Sequence, residues 1–160
     1  MFRRKIYKEL KNWKEESDGM SAILIEGARR IGKSTLVTEF AKREYKDYLL
    51  IDFSTCEEAI KTNFENIGKL DVFFRNLFIL TEKVLQPNEA VIIFDEVQLF
   101  PKARQAIKQL VKDGRYHYIE TGSLISINKN VKDILIPSEE ESIMMYPMDF
   151  EEFLWANGNF

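Results

Sequence analysis

Gly27-Ala28-Arg29-Arg30-Ile31-Gly32-Lys33-Ser34 fills every fixed position of the pattern Gly-x-x-x-x-Gly-Lys-(Ser/Thr). That pattern has physical meaning in one setting, a loop that leaves a strand and enters a helix, and its flanks provide it. Ser21 to Glu26, with Ile23, Leu24 and Ile25 in a row, reads as a buried strand, and Ser34 to Glu44 reads as a helix. Gly27 and Gly32 lack a Cβ and open φ values closed to other residues, so the backbone N–H groups between them can turn inward. Those donors, with about half a positive charge at the helix N-terminus, make an anion site. Lys33 would reach the β- and γ-phosphates of a nucleotide, and the Ser34 hydroxyl would join the shell of a Mg²⁺ ion. Thr35 is a neighbouring polar group for the α-phosphate.

Taken in order, the chain alternates strand and helix patterns. Ile6, Leu10 and Trp13 predict an amphipathic helix over Phe2–Trp13 that packs on the body and is ended by Ser17, Asp18 and Gly19. Residues 1–19 therefore read as an N-terminal helix laid on a core of residues 20–160. Leu36, Val37, Phe40 and Ala41 give the helix after the loop its buried stripe. Tyr48–Phe53 predicts a second strand, while Thr55–Gly68 is weakly patterned, a mixture of helix and loop. Phe73, Phe74, Leu77, Phe78, Val84 and Leu85 fall on one face of a helix over Leu70–Leu85, a stripe that reads as core. Ala90–Glu96 is a continuous apolar run ending in two acids, the pattern of a strand buried on both faces. Pro101 opens a helix that Asp113-Gly114 stops, with Ala103, Ala106, Ile107, Leu110 and Val111 inward. Tyr116–Thr121 predicts a fourth strand closed by Gly122 and Ser123. Ser142–Tyr146 predicts a fifth, and Asp149 would cap a short helix after Pro147. The fold class that follows is α/β, a parallel sheet of about five strands covered by helices on both faces.

At 160 residues the chain has room for one core. No apolar run approaches the roughly 20 residues that cross a bilayer, and no apolar segment follows the charged N-terminus as in a secretory leader. Cys56 is the single cysteine, so no internal disulfide forms and a reducing cytoplasm is the expected compartment. A net charge of −3 argues against nucleic acid or an anionic membrane as the partner of the whole surface. The sign is uneven, however. Arg3, Arg4, Lys5, Lys8, Lys11 and Lys14 make the start basic; Glu139, Glu140, Glu141, Asp149, Glu151 and Glu152 make the end acidic, with no Lys or Arg after Lys132. Two solvated faces able to attract each other explain this without a partner-binding arm.

Asp95 adds what the glycine loop lacks, a carboxylate that can hold Mg²⁺. Glu96 points differently from its neighbour and can take a proton from, or orient, a water facing the γ-phosphate. Gln98 lies within reach of the same water, although a polar loop residue needs no such role. Arg29 and Arg30 are expected to pair with acids beside the loop or with phosphate. His117 reads as a structural histidine between tyrosines, since no partner at metal spacing exists, and Cys56 as a small buried residue.

These segments resemble a known group. Gly27–Ser34 resembles a Walker A motif and Val91–Glu96 a Walker B motif with its adjacent catalytic acid. Glu120-Thr121-Gly122-Ser123 resembles the strand end called sensor 1 in AAA-type ATPases. Together with the later Tyr146–Leu154 segment YPMDFEEFL, they are similar to prokaryotic AAA-like ATP-binding proteins that carry a further C-terminal region of unassigned function; the similarity runs from about Met20 to Trp155. The resemblance implies a three-layer P-loop NTPase fold in which the sensor strand lies between the Walker A and Walker B strands. It implies ATP as ligand with Mg²⁺, and γ-phosphate sensing by Thr121 with Ser123 as substitute. On the residues alone, both are equally a capped strand end.

Two departures from that group stand out. Ile136-Pro137-Ser138-Glu139-Glu140 occupies a stretch where relatives often carry an arginine, and no arginine follows Arg115. The lid domain common in AAA ATPases is absent, which reads as a core cut from a longer protein. An arginine acting in trans would then be Arg29, Arg30, Arg104 or Arg115 of a neighbour, or lie in further sequence.

The leading function is an ATPase in which Lys33, Glu96 and Thr121 act on phosphate and water while Ser34 and Asp95 hold the metal. It would act on a protein partner, on a second copy of itself or on a C-terminal domain. The alternative is a nucleotide-gated switch or scaffold with little turnover. A small-molecule kinase would clamp phosphates with a basic lid, which the arginine-free end disfavours, and a nucleic-acid enzyme rests only on the basic N-terminus. An arginine finger is worth about 10³ to 10⁵ in rate, so phosphate release by this chain alone is expected to stay below roughly one turnover per second. A single-protein ATPase assay checks this.

Overall fold

The computed structural model describes residues 4–123 and 137–158. Expectations resting on Phe2, Arg3, Lys132, Ile136 and Phe160 lie outside the described residues. Among the described residues, five strands, β1 (Ala22–Gly27), β2 (Asp47–Asp52), β3 (Ala90–Asp95), β4 (His117–Ser123) and β5 (Glu140–Met144), are accompanied by six α-helices. These are α1 (Ile6–Ser17), α2 (Lys33–Glu44), α3 (Glu58–Thr62), α4 (Leu70–Thr81), α5 (Pro101–Asp113) and α6 (Phe150–Ala156). The strands form one sheet in the order β2-β3-β4-β1-β5, and every pairing is parallel. The β4 strand thus lies between β3 and β1, the arrangement that the resemblance implied.

Alternation along the strands sorts side chains to two layers. Ile23 and Ile25 of β1, Val91 and Ile93 of β3 and Ile119 of β4 face Leu36, Val37 and Phe40 of α2 and Ile6, Leu10 and Trp13 of α1. Leu24, Ile92, Phe94 and Tyr118 face the other way, toward α4 and α5. The weakly patterned stretch after β2 is ordered by packing rather than propensity. With five residues, α3 is too short to be stable alone, and the next turn seats the Phe64 ring 5.1–6.0 Å from Phe53, Phe73, Phe94 and Phe100.

Several boundaries differ from expectation, among them the following. The α4 helix stops at Thr81, because Glu82 turns left-handed (φ 56) and Lys83 is drawn to β2 by Asp47 (2.7 Å) and the Tyr48 ring. Val84 is consequently 68% exposed rather than inward, and Leu85 reaches the core from the following loop. Gly122 and Ser123 continue β4 instead of closing it, since Glu26 and Gly27 of β1 supply partners. The fifth strand begins two residues early, at Glu140.

The opposite charges of the two ends do meet. Arg4 pairs with Glu152 (3.0 Å), and Lys5 with Asp149 (2.7 Å) and Glu151 (2.8 Å). Asp149 caps α6 in a reciprocal capping box with Glu152. His117 shares a 2.7 Å hydrogen bond with the Tyr45 hydroxyl and meets Trp13 edge-on, a structural role. Cys56 is half-buried.

Under α5 lies a second group of charges. Arg104 grips both oxygens of the Glu140 carboxylate (2.7–3.1 Å). Glu120 of β4 is fully buried beside them, and among the described residues no donor reaches either of its oxygens. Burial and the neighbouring Glu140 carboxylate push the Glu120 carboxyl well above the ordinary range, while Arg104 opposes the rise. Glu26, raised by burial, is the remaining acid of this group. Burial and the Glu140 charge thus both favour the protonated form of Glu120.

A folded-state value above the unfolded one means that this contribution to stability is complete below the unfolded range near 4.5. It is lost as pH rises through the folded value, at about 1.4 kcal/mol for each tenfold difference in proton affinity. Glu120→Gln should flatten the decline of chemical-denaturation stability above pH 5. Parallel wild-type and variant profiles would contradict this.

Candidate functional site

The glycine loop joins β1 to α2, and its two glycines are needed for different reasons. Gly32 has φ 95, a conformation costly for a side chain. Gly27 has no such φ; a Cβ there would lie 2.5 Å from the Met145 carbonyl oxygen, so the requirement is close approach of the chain leaving β5. The positive φ that accompanies Gly32 falls on Arg30 (φ 63).

Lys33, the first residue of α2, is buried and folds back on the loop, donating to the carbonyls of Gly27 (3.1 Å) and Ala28 (2.5 Å). Burial lowers its pKa; Glu96 and Asp95 oppose that effect, and Arg29 adds to it. Ser34 donates to the Asp95 carboxylate, 2.9 and 3.0 Å from its two oxygens. Thr121 donates to the same carboxylate at 2.5 Å. Burial raises the Asp95 pKa, and these two hydroxyls oppose the rise. The convergence follows from pleat and register. Asp95 continues the face of Val91 and Ile93, and Thr121 that of Ile119, so both point toward α2.

Thr121 is fully buried, and its oxygen also accepts from the Glu96 backbone N–H at 3.1 Å. It links the two acids at the end of β3. Glu96 is left-handed (φ 59), which turns its side chain away from the Asp95 direction. The Glu96 carboxylate accepts a 2.5 Å hydrogen bond from the Gln98 amide, whose oxygen accepts from the Ser123 N–H. Gln98 thus bridges the ends of β3 and β4, more than its loop position in the sequence suggested. Its only sequence signal was proximity to Glu96.

The arginines divide. Arg29 and Arg30 are exposed, and no acid pairs with either among the described residues. Arg104 is committed to Glu140, and Arg115 to Asp71 and Asp113 at the opposite end of β4. Thr35 is exposed at the loop and borders a cavity of about 560 Å³ that Ile31, Leu36, Pro147, Met148 and Arg4 also line. Sequence reasoning missed this cavity, because Pro147 and Met148 arrive from the far end of the chain.

Ser34 and Asp95 offer hard oxygen donors of the kind Mg²⁺ takes, few in number as expected of a cation that relies on phosphate and water for its other ligands. Among the described residues no cluster of three or more His, Cys, Asp or Glu side chains could hold a metal alone. No helix among them is long and apolar enough to cross a membrane.

Comparison with known proteins bears on the fold and the family. An uncharacterized protein of Haemophilus influenzae is 27% identical over 136 residues, covering 83% of this chain; the chain spans about a third (33%) of that relative's length. Among solved structures, a chain of Drosophila ORC bound to DNA superimposes with a TM-score of 0.54 at 12% identity, covering 92% of this chain and 96% of its own. A chain of Drosophila ORC bound to AT-rich DNA and Cdc6 gives 0.52 at 12% identity, covering 97% and 61%. At such identity the likeness is one of fold. Residues 20–154 match the AAA domain family, and with its phosphate loop, five-stranded parallel sheet and acidic β3 end the chain belongs to that family of P-loop NTPases.

Proposed function

We propose that the chain binds ATP with Mg²⁺ in the Gly27–Thr35 loop and hydrolyses it. The observation that carries this reading is the Ser34–Asp95 contact, which sets a loop hydroxyl and a strand-end carboxylate together beside the buried Lys33. These two side chains would hold the metal, which when bound supplies positive charge at the phosphate oxygens. Loop N–H groups and Lys33 bind the phosphates, and Lys33 would exchange its carbonyl partners for them. Glu96 orients the attacking water and takes up its proton. Thr121, joined to Asp95 and to the Glu96 backbone, relays the state of the γ-phosphate between the two acids. The cavity beside Thr35 is of a size suited to a base, with Ile31, Leu36 and Met148 as its apolar walls. The recipient of the energy is a protein partner, a second copy or a further domain, as the greater length of the Haemophilus relative suggests.

A second reading, a nucleotide-gated switch with rare turnover, is favoured by one contact. Gln98 occupies the Glu96 carboxylate that the hydrolytic reading needs for water. The commitment of Arg104 and Arg115 elsewhere points the same way.

Binding and phosphate release with ATP and GTP test both. Lys33→Ala should weaken binding at least tenfold, and Glu96→Gln should keep binding while lowering release about 10²-fold or more. Gln98→Ala should raise release without changing affinity. Wild type that binds ATP but releases no phosphate would reject the hydrolase and leave the switch.

A further inference from the structure

Arg4 precedes α1 and lies far in sequence from everything it touches. Its Nη1 donates to the carbonyl of Ile31 (3.1 Å), its Nη2 to that of Tyr146 (2.6 Å), and its Nε to the Glu152 carboxylate (3.0 Å). Its side chain is 10% exposed and that of Glu152 8%. Glu152 also accepts from the backbone N–H of Lys5 (2.9 Å) and of Asp149 (3.1 Å), the latter being half of the α6 capping box. One guanidinium therefore ties the phosphate loop, the exit of β5 and the start of α6 together.

The contact with Ile31 bears on the loop's chemistry. In a trans peptide the C=O and the following N–H point in opposite directions. By holding the Ile31 carbonyl, Arg4 turns the N–H of Gly32 away from itself, within the loop whose N–H groups would bind phosphate. The other end of the loop leans on the same segment of chain. Gly27 abuts the Met145 carbonyl, and the Met145 N–H donates to Glu26 at 2.7 Å. Movement of α6 would thus reach the loop through Arg4 at Ile31, and movement of the β5 exit would reach it at Gly27 as well. A lysine, a point charge without the planar fork, could not serve three acceptors in these directions.

We propose that Arg4 is a positioning residue of the phosphate loop, and that the Arg4–Glu152 pair couples nucleotide binding at the loop to the order of α6. This rests on the nucleotide-binding reading above. Among the described residues the hydrogen bonds of Glu152 go to Arg4, Lys5 and Asp149 and none to the loop, so an effect of Glu152→Gln on nucleotide affinity distinguishes coupling from local damage to the loop.

The test compares the full chain as wild type, Arg4→Ala, Arg4→Lys and Glu152→Gln, each checked for folding by circular dichroism and thermal melting. Affinity for ADP and for Mg²⁺ with a non-hydrolysable ATP analogue is measured by calorimetry, and hydrogen exchange is followed at the amides of Phe153 in α6 and of Asn157, which caps its C-terminal end. Arg4→Ala should weaken binding about tenfold or more. Arg4→Lys should recover only part of the loss, and Glu152→Gln should weaken binding as well. Nucleotide should slow exchange at Phe153 and Asn157 in wild type and not in the Arg4 variants. If Arg4→Ala does not fold, Arg4→Lys and Glu152→Gln decide the matter.

Folded variants that bind within twofold of wild type would overturn the inference and leave nucleotide binding standing. So would wild-type α6 amides indifferent to nucleotide. Wild type that binds no better than Lys33→Ala would overturn the nucleotide reading and the inference with it.

Discussion

The buried carboxylate of Asp95 receives two hydroxyl hydrogen bonds, from Ser34 on α2 and Thr121 on β4, and the arrangement of the central sheet serves to bring them together. Leaving such a group unpaired in the interior would cost several kcal/mol. Its donors come from two other elements, so the loop, β3 and β4 must keep their relative positions for the acid to be tolerated. Parallel pairing with β4 between β3 and β1 is what provides this. The constraint that places Asp95 is thus also the one that gathers the loop hydroxyl, the acid and the β4 end at one point.

The same sheet carries a second acidic problem on its opposite face, solved differently. Thr121 and Glu120 are neighbours on β4 and point to opposite layers. Beneath α5, Glu140 is paired with Arg104, while burial and the Glu140 charge push the Glu120 carboxyl toward its neutral form. One strand therefore presents a hydroxyl to the candidate site and a carboxyl group to the far core. The arginine that balances the far side is thereby unavailable to phosphate.

Legibility from sequence followed range. The loop, the strand ending in Asp95-Glu96, the α5 helix with its Pro101 and Gly114 boundaries and the Asp149 cap were all readable, because each depends on residues within one or two turns of one another. The α4 end was not. Its boundary is set by Lys83 reaching Asp47 and Tyr48, and periodicity alone carried the helix on to Leu85. Gly27 was given the right identity for a reason that belongs to Gly32; its neighbour is the carbonyl of Met145, more than a hundred positions away. The role of Gln98 is not legible either, because nothing in a linear string shows that its amide spans two strand ends.

By itself the sequence determined an α/β chain with a phosphate-binding loop, two acids at the end of a buried strand, and ends of opposite charge. These properties reside in local spacing, side-chain chemistry and hydrophobic period. Tertiary structure alone decided that Thr121 joins Asp95 to Glu96, that Arg104 is spent on Glu140, and that Arg4 fastens the loop to α6. Each of these depends on which strands are neighbours and how the two ends of the chain return to each other. A hydrogen bond requires atoms about 3 Å apart, and separation along the chain carries no information about that distance.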